Sequence, residues 1–305
     1  MTQYKYRSLE PTPEAKSIYC RWLTQLDESF SRHKDPRVRS EKVKDELNQL
    51  YLAKPATGKI VSTLVSELPF NVLELSFNPL NVTLEPEYYG DIDEKKYAER
   101  KPLIWFWQMF DRSPVALNHW LGFRFRSMLG RHIFKSLGKN VKMFHGIEFS
   151  YGYNLTIEDD CVIHKFVMLD DRAELTIKRG SSISDFAHVY THSHDVHEQA
   201  DISLRPTSIG PGARLTYHST VLGGSSVGEN AMLASFGLAT HPVPDFSING
   251  GIPAKPIKQK DRSRIKADAK PQPQAEPDEK KSQSRPKDNI DDYGCGPASD
   301  NEATD

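Results

Sequence analysis

A six-residue period between Ile209 and Leu233 constrains the fold of this chain more than any other feature. The segment reads IGPGARLTYHSTVLGGSSVGENAML, and every sixth residue in it is aliphatic. The residue four positions after each of the first four aliphatics is small: Ala213, Ser219, Ser225 and Ala231. This period fits neither an α-helix nor an alternating β-strand. It is typical of a hexapeptide-repeat solenoid, in which each hexad lays a short strand on one side of a prism with its aliphatic residue in the core.

The same period runs upstream with shifts of frame. The frame slips by two residues at Leu155–Ile157 and again after Leu169, and a longer polar break, THSHDVHEQADISLRPTS, separates Val189 from Ile209. Repeats form a scaffold, and a polar loop that interrupts them is a common place for function. We therefore expect the functional site at this break. The upstream apolar hexad positions are Leu137, Met143, Phe149, Leu155, Ile157, Ile163, Leu169, Ile177, Ile183 and Val189.

Composition narrows the class of protein. The formal net charge of −1 argues against non-specific binding of nucleic acid. The N-terminus has no apolar signal core, and no apolar run approaches the roughly 18–20 residues needed to cross a bilayer. Cys20, Cys161 and Cys295 show no metal-binding spacing, and Cys161 occupies a small hexad position, which predicts a buried reduced thiol. We expect a cytoplasmic protein.

The chain divides into three predicted parts. Residues 1–136 form a mainly α-helical cap or accessory region, residues 137–258 the solenoid, and residues 259–305 a disordered tail. The tail is charged, rich in proline and nearly free of aliphatics, so it cannot offset its ordering entropy. Helices are predicted from Pro13 to about Arg32 and from Ser40, with that serine as N-cap. Residues 55–100 are expected to be strand-like or an extended wrap.

The stretch before the solenoid is apolar and aromatic, and it predicts two helices broken at Ser113-Pro114. Two interpretations of the second helix are open. Its basic and aromatic residues are compatible with peripheral membrane contact through residues 102–135. The favoured interpretation is a cap over the open end of the solenoid, because a stacked repeat exposes its core there. The apolar face of this helix comprises Leu117, Trp120, Leu121, Phe125 and Leu129.

Four histidines lie in or beside the break, and two chemistries could use them. In acyl transfer, one neutral imidazole removes the proton of an attacking hydroxyl, and a carboxylate or backbone carbonyl fixes its tautomer. In metal chemistry, three imidazoles gathered at a subunit interface hold zinc with an open position for water, as in a γ-carbonic-anhydrase-like enzyme. A third possibility is that the histidines have neither role, as in a non-catalytic scaffold. The residues considered for zinc are His188, His192, His197 and His218.

Three stretches carry a resemblance to a known family. YGYNLTIEDDCVI resembles the segment that precedes the family's site, YTHSHD the segment with its catalytic histidine, and NGGIPAK its closing motif. On these residues the chain is identified as resembling the hexapeptide-repeat acyltransferase superfamily. It is most similar to the branch of galactoside, maltose and colanic-acid O-acetyltransferases. The resemblance covers about residues 137–258.

This resemblance implies a left-handed parallel β-helix, a homotrimer and acetyl-CoA as acyl donor, with no metal. The implied activity is acyl-CoA-dependent O-acylation, most simply acetylation of a sugar or glycan hydroxyl. The general base falls on His194, with His192 as the alternative. Asn154 and Asp195 fall at substrate-binding positions, and acylation of an amine stays open.

The positions that the resemblance assigns to acetyl-CoA are Ser235, Thr240 and Lys255. Three nearby residues depart from the family pattern: Arg214, Phe236 and His241. Phe236 replaces a small residue and is expected to narrow the cofactor groove. These departures leave the scaffold interpretation open beside the enzyme.

Overall fold

The computed structural model of the chain describes residues 10–53 and 68–264. The predicted disordered tail therefore lies almost entirely outside the described residues. The described part begins with α-helices and continues as a parallel β-solenoid. The helices are α1 (Pro13–Arg32), α2 (Pro36–Leu52), α3 (Leu68–Ser76), α4 (Glu94–Arg112) and α5 (His119–Ile133).

The sequence predicted α1 correctly but placed the start of α2 four residues late. Asp35 caps α2, because its carboxylate accepts hydrogen bonds from the backbone N–H groups of Arg37 and Val38 at 2.8 and 3.2 Å. Pro36 occupies the first helical position, which suits its fixed φ. Ser40 lies inside the helix, where its hydroxyl donates to the Pro36 carbonyl.

The prediction of strands or an extended wrap over residues 55–100 was wrong for the described residues of that range. Helix α3, two 3₁₀ turns at Pro79–Asn81 and Glu85–Tyr88, and the start of α4 are found there instead. The alternation that suggested a strand belongs to a short helix whose apolar side chains are largely exposed, among them Val72. The proline punctuation belongs to the starts of the two 3₁₀ turns, with Pro79 at the first position of one and Pro86 at the second position of the other.

The solenoid is built from short strands that repeat in groups of three. Each group forms one coil, and corresponding strands of successive coils pair in parallel. The strands are β1 (Ser136–Leu137), β2 (Lys142–Met143), β3 (Glu148–Phe149), β4 (Leu155–Ile157), β5 (Val162–Ile163), β6 (Met168–Leu169), β7 (Leu175–Ile177), β8 (Ser182–Ile183), β9 (His188–Val189), β10 (His192–His194), β11 (Ile202–Leu204), β12 (Thr207–Ile209), β13 (Arg214–Leu215), β14 (Thr220–Val221), β15 (Ser226–Val227), β16 (Met232–Leu233), β17 (Leu238–Ala239), β18 (Ser247–Gly250) and β19 (Lys255–Gln259).

Three sheets form the sides of the prism. Sheet A has the order β1-β4-β7-β12-β15, sheet B β19-β18-β16-β13-β8-β5-β2, and sheet C β17-β14-β9-β6-β3. All neighbours in these sheets are parallel except β18 and β19, which pair antiparallel. The parallel β-helix predicted from the hexads is confirmed. Strand β19 ends at Gln259, one residue beyond the predicted end of the solenoid.

The core of the solenoid is formed by the residues that the period selected. The aliphatic hexad positions from Ile209 to Leu233 are at most 1% exposed, and the small positions are at most 4% exposed. Cys161 is also fully buried, and burial raises the pKa of its thiol to about 12. The predicted buried, reduced thiol is confirmed.

Helix α5 closes the first coil, as the cap interpretation expects. Three residues of its predicted apolar face, Leu121, Phe125 and Leu129, are buried, and Trp120 is partly buried. Leu117 was wrongly included, because it lies in the 3₁₀ turn before the helix and is 63% exposed. Trp107 of α4 reaches the solenoid, where its indole N–H donates to the Ile147 carbonyl at 3.3 Å. The face that a membrane-surface helix would need is therefore largely occupied by packing within the chain. Among the described residues, no helix is both long and apolar enough to span a bilayer.

The slips of frame in the sequence all map to one corner of the prism. Between coils, Thr156 pairs with Thr176, a spacing of 20 residues, whereas Ser208 pairs with Ser226, a spacing of 18. The extra residues lie between sheet C and sheet A, in segments 150–154 and 170–174. The polar break, residues 190–206, leaves the solenoid at the same place. We call these three stacked segments the loop corner.

Candidate active site

The polar break folds into a hairpin that projects from the loop corner. Strands β10 and β11 pair antiparallel, with His192 opposite Leu204 and His194 opposite Ile202. At the root of the hairpin, the Arg205 N–H donates to the Thr191 carbonyl at 2.7 Å. The two histidines thus lie on a defined strand rather than on an irregular loop.

A buried carboxylate of the coil below holds His192. Asp170 is 1% exposed and accepts hydrogen bonds from the Ser150 hydroxyl at 2.9 Å and from the Thr191 backbone N–H at 2.8 Å. The Nδ1 atom of His192 lies 2.6 Å from the Asp170 Oδ2 atom. Since a carboxylate only accepts, Nδ1 carries a proton, and in the neutral form of the ring Nε2 keeps its lone pair. The His192 side chain is 18% exposed.

A backbone carbonyl holds His194 in the same tautomer. Its Nδ1 atom lies 2.7 Å from the carbonyl oxygen of Gln199, across the hairpin. Because a carbonyl oxygen also only accepts, Nδ1 carries the proton here too, and Nε2 can accept. The ring is exposed, and its centroid lies 5.3 Å from that of His192. The site therefore presents two neighbouring imidazoles with fixed tautomers.

The two residues predicted to bind substrate are both engaged in the local structure. Asp195 closes the hairpin turn, because one carboxylate oxygen accepts from the N–H groups of His197 and Glu198 at 2.8 and 3.1 Å. These bonds lower the pKa of Asp195. Asn154 donates its amide to the carbonyls of the next coil at 3.0 and 3.1 Å. Their roles in substrate binding stay predictions.

The four histidines considered for zinc do not converge within one subunit. His192 is bonded to Asp170 at the loop corner, whereas His218 lies at the corner between sheets B and C, stacked between Phe186 and Phe236. Across residues 10–53 and 68–264, no three histidine, cysteine or acidic side chains form a group that could hold a metal.

The residues predicted to bind acetyl-CoA lie at separate places on one subunit. Ser235 lies between sheets B and C and donates its hydroxyl to Thr216 at 3.2 Å, while Thr240 is exposed after β17 and contacts His241. Lys255 is exposed at the start of β19. These groups are polar and accessible, which suits a phosphate and an extended polar arm.

Sequence reasoning missed the carboxylates beneath the hairpin and the partners that hold them. Asp170 and Asp171 follow β6, and Arg172 pairs with Asp91 of the N-terminal region. Asp171 is fully buried, and this burial raises its pKa to about 6 although backbone N–H groups donate to it. The two-residue slip after Leu169 contains these residues, so the slip was the signal that could have found them.

Comparisons with known proteins agree with the repeat. No family model matches the chain. A putative colanic acid biosynthesis acetyltransferase, WcaF of Escherichia coli K12, is 27% identical over 153 residues, which cover 50% of this chain and 81% of WcaF. A dTDP-4-amino-4,6-dideoxy-D-glucose acyltransferase of Escherichia coli is 25% identical over 174 residues, covering 47% of this chain and 91% of the relative. Galactoside O-acetyltransferase of Escherichia coli K12 is 22% identical over 138 residues, covering 44% and 68%.

Solved structures include a hexapeptide-repeat acetyltransferase of Vibrio cholerae in complex with acetyl-CoA. It has a TM-score of 0.48 and 19% identity, and the match covers 60% of this chain and 98% of that one. The buried hexads, the NGGIPAK ending and the curated relatives agree in making the solenoid similar to hexapeptide-repeat acetyltransferases.

Proposed function

We propose that the protein is an acyl-CoA-dependent O-acyltransferase that acetylates a sugar or glycan hydroxyl, with His194 as general base. The names of the curated relatives support acetyl transfer and a sugar acceptor. One observation carries the assignment of the base: His194 is exposed while its Nδ1–H is tied to the Gln199 carbonyl. This arrangement directs a basic Nε2 atom toward an incoming acceptor.

His194 removes the proton of the acceptor hydroxyl as the hydroxyl oxygen attacks the thioester carbonyl of acetyl-CoA. The Gln199 carbonyl keeps the ring in the productive tautomer and stabilises the imidazolium that forms. His192 offers a second Nε2 atom beside it, which accepts a hydrogen bond from a neighbouring hydroxyl of the acceptor and orients it. Acetyl-CoA supplies the acetyl thioester. His194 then returns its proton to the departing thiolate, so the base is regenerated.

Substitution of the histidines tests this assignment. His194→Ala should lower turnover by at least about 10²-fold, roughly 2.7 kcal/mol of transition-state stabilisation. His197→Ala is the matched control, because His197 lies in the same hairpin with its side chain exposed. If His192→Ala lowers turnover and His194→Ala does not, the general base is His192.

Binding of acetyl-CoA is tested by calorimetry. We expect saturable binding that Lys255→Glu weakens, because an exposed cation at the start of β19 suits the cofactor's phosphates. Lys139→Glu, in the first coil, is the matched charge reversal and should bind normally. Absence of binding by the wild type would favour the non-catalytic scaffold, with Arg214, Phe236 and His241 marking an unused groove.

Two further features belong to this proposal. A homotrimer would bring the separated cofactor residues of adjacent subunits into shared grooves, and sedimentation measures it directly. An amine acceptor is the second candidate, because one curated relative acts on an amino sugar by its name. Assays with galactosides and with amino sugars as probes separate the two acceptor classes.

A further inference from the structure

The N-terminal region is attached to the solenoid at the loop corner through a buried arginine. Arg172 is 3% exposed and donates from Nε to the Asp91 Oδ2 atom at 3.0 Å, with a second bond from its terminal nitrogen to Oδ1. The Tyr89 ring covers the guanidinium, 4.4 Å from ring centroid to Cζ. Arg172 is thus clamped in a planar, bidentate geometry by two residues of one segment.

A second contact fixes the same segment to the coil below. The Asp93 backbone N–H donates to the Tyr153 hydroxyl at 2.8 Å. Tyr153 and Arg172 lie in successive coils of the loop corner, and the hairpin leaves the solenoid from the next coil. The segment from Tyr89 to Asp93 therefore lies along the corner that carries the candidate active site.

We propose that Arg172 is a positioning residue, through which the N-terminal region holds the Asp170–His192 pair and the root of the hairpin. The inference rests on the proposed function insofar as His192 orients the acceptor. The link is short. The Arg172 backbone N–H approaches the Asp170 Oδ1 atom at 3.4 Å, and the other oxygen of Asp170 binds Thr191 and His192.

The physical argument concerns the buried charge of Arg172 when its partner Asp91 is replaced. A buried ion pair gives little net stability, but removal of one partner leaves the other charge without compensation. In Asp91→Asn, one of the two acceptor oxygens becomes an amide donor facing the guanidinium, so the bidentate pair is lost. We then expect Arg172 to move toward water or toward Asp170. Either movement changes the turn at residues 170–172 and the hydrogen bond that fixes the His192 ring.

The chain contains a matched control at a different junction. Arg126 and Asp111 form another buried pair, 2.6 Å apart and 0% and 6% exposed, which also ties the helical region to the solenoid. Arg126 donates to the Met143 carbonyl, and Asp111 accepts from the Gly146 N–H, both in the first coil. Asp111→Asn therefore removes a comparable charge away from the loop corner.

The test is the tautomer of His192, observed by NMR of the full chain labelled with ¹⁵N in its histidine rings. The wild type should show the His192 proton fixed on Nδ1. Asp91→Asn should shift this signal toward an average of the two tautomers, whereas Asp111→Asn should leave it unchanged and Asp91→Glu should largely restore it. A His192 signal that is identical in Asp91→Asn and wild type would overturn the proposal, as would an equal shift in Asp111→Asn.

A second variant and a binding measurement complete the design. If Asp91→Asn does not fold, Arg172→Met removes the cation and keeps much of the volume, and it should shift the same signal. Acetyl-CoA binding by calorimetry should be unchanged in these variants, since the cofactor residues lie elsewhere. The ring signal needs no turnover, so it can fail while the His194→Ala result stands, or hold while that result fails.

Discussion

The corner between sheets B and C carries a stacked ladder of rings, and Phe186 at its centre gives the sharpest test of the fold. Phe166, Phe186, His218 and Phe236 follow one another in successive coils, with centroids 4.9–5.1 Å apart and planes within 17°. All four have φ between 56° and 60°. Bulky residues rarely adopt this left-handed conformation, which costs an L-residue roughly 1–2 kcal/mol.

Two substitutions at Phe186 separate stacking from backbone strain. Phe186→Ala removes two ring contacts, each worth about 0.5–1.5 kcal/mol, and keeps the left-handed penalty, so unfolding free energy should fall by about 1–3 kcal/mol. Phe186→Gly removes the same contacts but relieves the penalty. Glycine also raises the conformational entropy of the unfolded chain, which offsets part of this gain. The glycine variant should still be about 1 kcal/mol more stable than the alanine variant.

Urea unfolding followed by circular dichroism measures both variants. Leu222 is the control, because it is 37% exposed and does not have a positive φ. There, glycine should be less stable than alanine, by about 0.5–1 kcal/mol. If glycine is no better than alanine at Phe186, the left-handed conformation does not strain this corner and the reasoning is refuted.

Three other predictions follow from buried groups. The pKa of Asp171 is raised from 3.8 to about 6, so the folded state holds its proton more tightly than the unfolded state. Wild-type stability should therefore fall between about pH 4 and about pH 7 by about 2 kcal/mol more than that of Asp171→Asn, in urea titrations at each pH; an equal slope would contradict this. Asp111→Ala leaves Arg126 buried without its partner and should cost about 3–5 kcal/mol of unfolding free energy, whereas a loss below about 1 kcal/mol would mean that the pair is dispensable. Cys161 should resist iodoacetamide at about pH 8 until the protein unfolds, as peptide mapping would show, because burial disfavours its thiolate.

The helices were predicted correctly where the signals that define them lie within a few residues of one another. Helix α1 and the break at Ser113-Pro114 follow from spacing and from proline chemistry, which act within a few residues. The start of α2 was misplaced because Asp35 and Ser40 are both good caps. The helix begins after Asp35, which accepts from the Arg37 and Val38 N–H groups, with Pro36 at the first helical position. Residues 68–88 alternate like a strand, yet the apolar side chains of α3 are largely exposed, so the alternation did not mark a buried face.

The prediction of the candidate active site also succeeded only where the signal was local in sequence or came from the resemblance. The interruption of the hexads located the hairpin, and the resemblance pointed to His194 and His192. Asp170 could not be selected from sequence, because its partners Ser150 and Thr191 lie about 20 residues away on each side and meet it only through coil stacking. The pairing of Arg172 with Asp91 spans 81 residues and two regions of the chain.

The sequence by itself determined the solenoid. A period of six places one apolar side chain per strand in the core, and every further hexad repeats this arrangement. The sequence also determined the corner at which function is expected, because the added residues cannot fit a flat side of the prism. Only the tertiary structure decided which polar groups meet at that corner. Coil stacking brings together residues that are distant in sequence, and the docking of the N-terminal region adds Asp91 and Tyr89, so their contacts have no local signature.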